Sequence, residues 1–382
     1  MEQMWANRAA SAEAAVSRRH LRRLWGLPGT ELGVVAWPAT GRLRRFGTWH
    51  YWWQAHLLDA LVDAQLRDPQ PDRLKAIARQ IRGHRIRNAG RWTNDYYDDM
   101  AWLALALERS GRLVGVHRAK ALDTLADQFL NAWVPEDGGG IPWRKQDQFF
   151  NAPANGPAAI FLARHLSSRG EPLRRAQQMA DWIDETLIDP DTKLVFDGIQ
   201  GGSLVRAQYT YCQGVVLGLE TELAVRTDDD RHRQRVHRLV AAIAEHMAPG
   251  GVIRGAGGGD GGLFNGILAR YLALVVTELP PGGADDDARE TARSLVTASA
   301  RAAWDNRQTV DGTPLFGAFW DRPAELPTAA AQEAQSIDGA VHSSSIPERD
   351  LSVQLSGWMV LEAAHAVADG TSGRSVTAGE RD

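Results

Sequence analysis

Two kinds of helical pattern alternate along the chain. One is apolar around nearly its whole circumference, and the other is amphipathic with a charged outer face. Apolar segments begin near Trp49, Tyr97, Pro153, Tyr209, Phe264 and Gln354, at intervals of 48, 56, 56, 55 and 90 residues. The pattern predicts apolar helices over 49–66, 95–109, 155–168, 209–225, 263–279 and 350–367. Amphipathic helices are expected over 72–86, 114–131, 172–188, 230–247 and 285–304, with a further helix over 8–25 ended by Gly26 and Pro28. A short extended pair fits 193–205, and 305–349, rich in Pro, Ala, Ser and Gln, has no helical period. Such alternation is the signature of stacked helical hairpins. Six inner helices wrapped by six outer ones predict an all-α (α/α)6 barrel, a six-hairpin toroid. Closure of that ring lets one catalytic domain fill residues 1–370, with 305–349 as an inserted loop and 371–382 as a disordered tail.

Composition narrows the function more than the fold. The 382 residues carry a net charge of −4, which gives no electrostatic case for nucleic acid or an anionic membrane. No stretch reaches membrane-spanning length, and Met1 to Leu24 lacks an apolar signal core, so a cytoplasmic location is expected. The only cysteine is Cys212, which excludes an intramolecular disulfide. Tryptophan is abundant at 14 residues, many of them near Gly, Asp or Asn.

The chemistry concentrates in Thr93–Leu107. Asp95, Asp98 and Asp99 stand at the start of a helix that stays apolar from Met100 to Leu107. Aspartates in a first turn are favoured by the helix dipole, and Asn94 or Asp95 suits a cap, so such a pair is most often structural. Here, however, the helix must be buried on every side, which desolvates both carboxyls and raises at least one pKa. Two close carboxylates then divide the roles of ionised nucleophile and protonated acid. Adjacent positions suit the ~5–5.5 Å separation of a retaining glycosidase better than the ~6.5–9.5 Å of an inverting one.

The N-termini of the other inner helices, and the loops before them, open onto the same end of the toroid. They bring Trp49 and His50, Asn151 to Asn155, Gln208 to Gln213 and Asp260 to Asn265 to that mouth. Aromatic rings that stack on sugar C–H faces, with amides and carboxylates that grip vicinal hydroxyls, suit a carbohydrate cleft.

Tyr96-Tyr97-Asp98-Asp99-Met100-Ala101-Trp102 resembles the signature of glycoside hydrolase family 76, the endo-α-1,6-mannanases. Gly138–Trp143, Asn155–Ala159, Tyr209–Gly214 and Phe264–Ile267 continue the resemblance over roughly residues 45–365. The resemblance implies an (α/α)6 barrel that cleaves α-1,6-mannosidic linkages of a mannan poly- or oligosaccharide through a covalent glycosyl-enzyme. It makes Asp98 the nucleophile and Asp99 the general acid/base. Asp95, Tyr97, Asn155, Tyr209, Tyr211, Gln213 and Asn265 would hold sugar, with Trp102 and Trp143 stacking; neither cofactor nor metal is required. Two features depart from the family: Cys212 stands where asparagine is expected, and Met1 to Leu24 does not read as the signal peptide expected of a secreted member. Transglycosylation of α-mannan glycans and non-catalytic glycan binding on the same fold are the alternatives.

Other motifs are weaker. Gly255–Gly262 mimics a phosphate loop, but no strand precedes it and no Lys-Ser/Thr follows. Asp260 at its end is expected to cap the next helix. Asp228–Arg233 is expected to be a solvated helix start. His50 and His56, six apart, are poorly spaced for a metal, and only these two could serve an epimerase in the mouth.

Overall fold

The computed structural model describes residues 2–135, 139–165, 170–227 and 229–368. Gly138, Asp228 and the expected tail beyond Gly370 lie outside them. In chain order the elements are α1 (Glu2–Arg19), β1 (Leu21–Arg22), β2 (Leu32–Gly33), α2 (Gly41–Arg44), α3 (Tyr51–Arg67), α4 (Pro71–Arg87), α5 (Tyr97–Val114) and α6 (Ala119–Asn131). There follow β3 (Phe149–Asn151), α7 (Ala152–Arg164), α8 (Glu171–Thr186), β4 (Gly198–Gln200), β5 (Ser203–Val205), α9 (Thr210–Arg226) and α10 (Asp230–Ala242). The chain ends with α11 (Gly261–Glu278), α12 (Ala284–Asp305), β6 (Gln308–Val310), β7 (Thr313–Leu315), β8 (Gln335–Ile337), β9 (Ala340–His342) and α13 (Leu351–Ala368).

Helices α3, α5, α7, α9, α11 and α13 form the inner ring, each packed on the next, and α13 closes the ring against α3. Helices α1, α4, α6, α8, α10 and α12 wrap it, each laid against an inner helix. This is an (α/α)6 barrel. Burial follows the two sequence patterns. α13 is buried without a break from Leu351 to Ala364, whereas α8 buries only one stripe that includes Ala176, Met179, Ala180 and Ile183. Among the described residues no helix is long and apolar enough to cross a membrane.

An outer helix returns the chain between successive inner helices, so all six inner helices point the same way. Their C-terminal halves line a cavity of about 480 Å³ at the end opposite the mouth. Charged side chains fill its walls: Arg109 and Arg270 both pair with Asp59 and Asp63, and Arg164 pairs with Glu222 at 2.5 Å. Cations beside helix C-termini offset the negative ends of six parallel dipoles.

At the other end, four inner helices carry an amide at their fourth residue, and all four amides do the same work. Gln54 bonds the N–H and C=O of Gly33, at 2.8 and 2.9 Å. Asn155 does so with Ile141, Gln213 with Val195 and Gln354 with Phe316, all within 2.7–3.0 Å. Each also donates to a carbonyl at its own helix start: Trp49, Asn151, Tyr209 or Glu348. The segments that build the mouth have at most short bridges for their backbone groups, and a buried orphan is costly. One side-chain amide per helix supplies the missing donor and acceptor.

Several boundaries differ from the sequence expectation. α1 starts at Glu2 and ends at Arg19, not at 25; Arg19 leaves the helix to bond the carbonyls of Val310, Thr313 and Pro314. α7 begins at Ala152, three residues early, because Asn151 caps it and Pro153 fits its first turn. The extended pair near 193–205 is the β4–β5 hairpin, which β3 extends to three antiparallel strands. The 305–349 insertion carries two further hairpins, β6–β7 and β8–β9. All three hairpins turn through two residues with positive φ: Gly201–Gly202, Asp311–Gly312 and Asp338–Gly339.

Replacing Gln213 by the similarly sized Met leaves the Val195 N–H and C=O buried without partners. The variant is expected to lose about 2–4 kcal/mol of unfolding free energy in urea titrations. Unchanged stability would remove the amide from its structural role.

Candidate active site

The loop from Gly139 to Phe150 clamps onto the start of α5. Tyr97 N–H donates to the Trp143 carbonyl at 2.8 Å, and Tyr96 and Arg144 pair as an isolated bridge. This lays the Trp143 indole across the first turn of α5, where its Nε1–H donates to Asp98 Oδ2 at 2.9 Å. Asp98 Oδ1 accepts the Asp99 N–H at 2.8 Å. Asp99 Oδ2 accepts from Asn94 Nδ2 at 2.5 Å, while Asn94 Oδ1 takes the Tyr96 N–H. No side chain caps α5 itself; Asn94 spends its amide on Asp99 and the turn before it, and Asp95 is exposed at the rim.

Both carboxyls are half-buried, reached by solvent from one side and packed by protein on the others. Burial pushes Asp98 up to about 7, held back by its bonds from Trp143 and the Asp99 amide. Burial and then the charge of Asp98 push Asp99 well above the carboxylate range, with only Asn94 opposing. A third carboxylate, Asp260, adds its charge to both. Asp260 does not cap α11 as expected. It accepts from Trp52 Nε1 at 3.0 Å, Trp53 Nε1 at 2.9 Å and the Val341 N–H at 2.7 Å, and burial lifts it to about 6.

Aromatic side chains line the side formed by α9 and α11. Tyr211 stacks on Phe264 with centroids 3.9 Å apart and planes at 10°, and Tyr209 leans on both while staying 38% exposed. Beside them is Asp197, which sequence reasoning missed. Burial lifts it to about 6, and its carboxylate accepts one weak bond, from the Cys212 thiol at 3.7 Å. Cys212 is fully buried and faces Asp197, and burial and then the Asp197 charge push its thiol well above its usual range.

Of the residues expected to hold sugar, Asp95, Tyr97, Trp143, Tyr209 and Tyr211 are half-buried or exposed around the mouth. Four others are not placed there. Asn155 and Gln213 are fully buried with their amides committed to loop backbone. Trp102 is 4% exposed, lodged beneath Trp52 and His56. Asn265 is buried, accepting from Thr210 Oγ1. His56 is buried with neither ring nitrogen bonded, and burial drops it well below 6.5; burial also lowers His50, to about 4. Among the described residues no cluster of His, Cys, Asp or Glu is arranged to hold a metal. Away from the mouth, His232 of the expected solvated start of α10 is buried against Glu220, 2.5 Å away.

A closed helical barrel with a desolvated carboxylate pair at the floor of an aromatic-walled mouth has the layout of a glycosidase site. Residues 8–355 match the model of glycosyl hydrolase family 76, and the chain belongs to that family. Its solved relatives include an α-1,6-mannanase from a Salegentibacter species, 27% identical over 94% of this chain and 98% of that one, with a TM-score of 0.76. An inactive variant of that enzyme, with two consecutive aspartates replaced by asparagine, is solved in complex with α-1,6-mannotriose. It is 26% identical over 95% of this chain and 99% of that one, with a TM-score of 0.77. A Listeria innocua protein superposes with a TM-score of 0.79 at 25% identity, over 97% of this chain and 99% of that one. No curated protein matches the chain.

The carboxyl pair makes stability depend on pH in a defined direction. Asp98 holds its proton in the folded chain up to about pH 7, against 3.8 ordinarily. The unfolded chain therefore releases that proton first, and stability falls as pH rises through this window. Asp98→Asn removes the penalty. It is expected to be about 1–3 kcal/mol more stable than wild type at pH 8, a figure discounted for the solvent that reaches the pair, and close to wild type at pH 4. Melting curves at the two pH values check this, and equal stability at pH 8 would contradict the desolvation.

Proposed function

We propose that this glycoside hydrolase cleaves α-1,6-mannosidic linkages with retention of configuration, through a covalent mannosyl-enzyme. The carrying observation is the unequal treatment of two adjacent carboxyls. Asp98 receives an indole and a backbone donor, which favour its ionised form, and its titration near 7 leaves much of it anionic at neutral pH. Asp99 receives one amide donor and faces the charge of Asp98, so it keeps its proton. That difference matches a nucleophile beside a general acid.

In the first step an Asp98 oxygen bonds to the anomeric carbon as the glycosidic C–O bond breaks. The Asp99 proton passes to the departing oxygen. In the second step Asp99, now a carboxylate, takes a proton from water while the water oxygen attacks the anomeric carbon and expels Asp98. Trp143 steadies Asp98 in both steps, and Tyr209, Tyr211, Phe264 and Asp197 offer ring faces and a hydroxyl acceptor for the sugars. The mannotriose bound by the Salegentibacter variant with paired substitutions supports mannan as the substrate class and the Asp-Asp pair as the reacting groups.

Early-time NMR of products from linear α-1,6-mannan tests the reading. Wild type is expected to release the α-anomer first. Asp98→Asn and Asp99→Asn are each expected to lose at least about 10³-fold in kcat. A β-anomer appearing first would overturn retention, activity surviving in Asp98→Asn would overturn the site, and products longer than the substrate would reveal transfer to sugar instead of water.

A further inference from the structure

The 305–349 segment joins α12 to α13, and its second hairpin touches both arms that organise the carboxylates. Val341 holds Asp260 with both its backbone groups: its N–H donates to the side-chain Asp260 Oδ2 at 2.7 Å, and its carbonyl accepts the Asp260 N–H at 2.8 Å. Val341 pairs with Ser336 in the hairpin, yet both its backbone groups point outward to Asp260. Two residues away, Gly339 turns with φ +94° directly against the opposite arm. A Cβ placed there would sit 2.8 Å from the Trp143 ring and 2.8 Å from the Tyr96 hydroxyl. Two residues of extended chain span about 7 Å. A single short rib thus joins the carboxylate whose charge bears on Asp98 and Asp99 to the indole that holds Asp98.

We propose that the β8–β9 hairpin is a positioning element for the reaction, with the Val341 main chain fixing Asp260 and Gly339 backing Trp143, so that the carboxyl pair is assembled only when the hairpin is seated. The proposal rests on the role of Asp98 and Asp99 argued above. Asp260 is reached from α3 by the Trp52 and Trp53 indoles, from α5 by the charges of Asp98 and Asp99, from α9 by Tyr211, and from the hairpin by Val341 and His342. Asp350, at the start of α13, bonds the neighbouring Gly259 N–H. Without the Val341 donor, Asp260 holds its proton to higher pH, and its negative charge weakens at working pH. Asp98 and Asp99 then ionise more readily, so both limbs of a pH–rate profile move to lower pH.

The test is Val341→Pro. Proline removes only the outward N–H, because that position gives no hydrogen bond to β8, and outward-facing positions on edge strands accept proline. Expected is a kcat about 10–100-fold lower with KM within about 3-fold. Both pH limbs should move acidward by about 0.5 pH unit or more, and Val341→Ala should behave as wild type. Carboxyl 13C NMR titration of Asp98 and Asp99 in the free protein should show the same acidward movement. That reading holds even if no α-mannoside is turned over, a result that would count against the proposed function alone. If circular dichroism shows Val341→Pro unfolded, Gly339→Val tests the hairpin's other contact: its side chain must push the turn off Trp143, and the weakened indole donor should then move the Asp98 titration to higher pH. Carboxyl titrations that stay in place in a folded variant overturn the proposal, as does a loss of activity shared by Val341→Ala.

Discussion

All six inner helices run in one direction, and the protein's two ends differ because of it. Parallel dipoles gather partial positive charge at the mouth and partial negative charge at the far end. The far end answers with arginines, and it balances them: Arg109 and Arg270 share Asp59 and Asp63, and Arg164 bridges Glu108 and Glu222. The mouth answers with carboxylates, and it leaves them unbalanced. Asp98, Asp99, Asp197 and Asp260 have neutral hydrogen-bond donors and, among the described residues, no arginine or lysine ion pair. A salt bridge would hold a carboxylate ionised, so withholding cations is what leaves burial free to raise these groups.

Magnitudes decide what the dipoles achieve. A helix N-terminus favours a nearby anion by about 0.3–1 kcal/mol, and up to ~2 in partly buried sites. Desolvation of a carboxylate costs several kcal/mol and is larger than any other influence on Asp98, Asp99 and Asp260. Burial therefore wins, and all three are held above their ordinary range. The donors then set the order within the set. Asp260 has three, Asp98 has an indole and backbone amides, and Asp99 has one side-chain amide. Ease of ionisation follows that order. The difference between two identical side chains comes from which loop atoms reach them.

The ring was legible because its signal is periodic and long. Apolar runs of four or five turns can only be core helices, and their 48–56-residue spacing counts the hairpins. The Asp98–Asp99 pair was legible because charge at the head of such a run has few structural uses. Much of the mouth was not. The type I′ turns at Asp311–Gly312 and Asp338–Gly339 carried a usable two-residue signal that helix periodicity overshadowed. Asp197 carried none, since a single Asp between Phe196 and Gly198 reads as an ordinary loop residue until folding sets it beside Tyr209 and Cys212. Asp260 looked like a cap because its position beside a helix start is correct for one, and only the tertiary approach of Trp52, Trp53 and Val341 takes its oxygens elsewhere.

The misplaced amides are the more instructive failure. Asn and Gln suit sugar hydroxyls because each offers a donor and an acceptor side by side, and a peptide group offers the same pair in reverse. The residue type that grips a sugar is therefore also the residue type that grips a loop. Composition cannot separate the two, but register can. Gln54, Asn155, Gln213 and Gln354 each stand fourth in their helix, a full turn below the mouth, where the ring is already dry. Asp98 and Asp99 stand second and third in theirs, where solvent still arrives. In this barrel an amide at the fourth position of an inner helix belongs to the scaffold that holds the mouth open, whereas the Asp98–Asp99 pair, one and two residues nearer the helix start, still meets solvent.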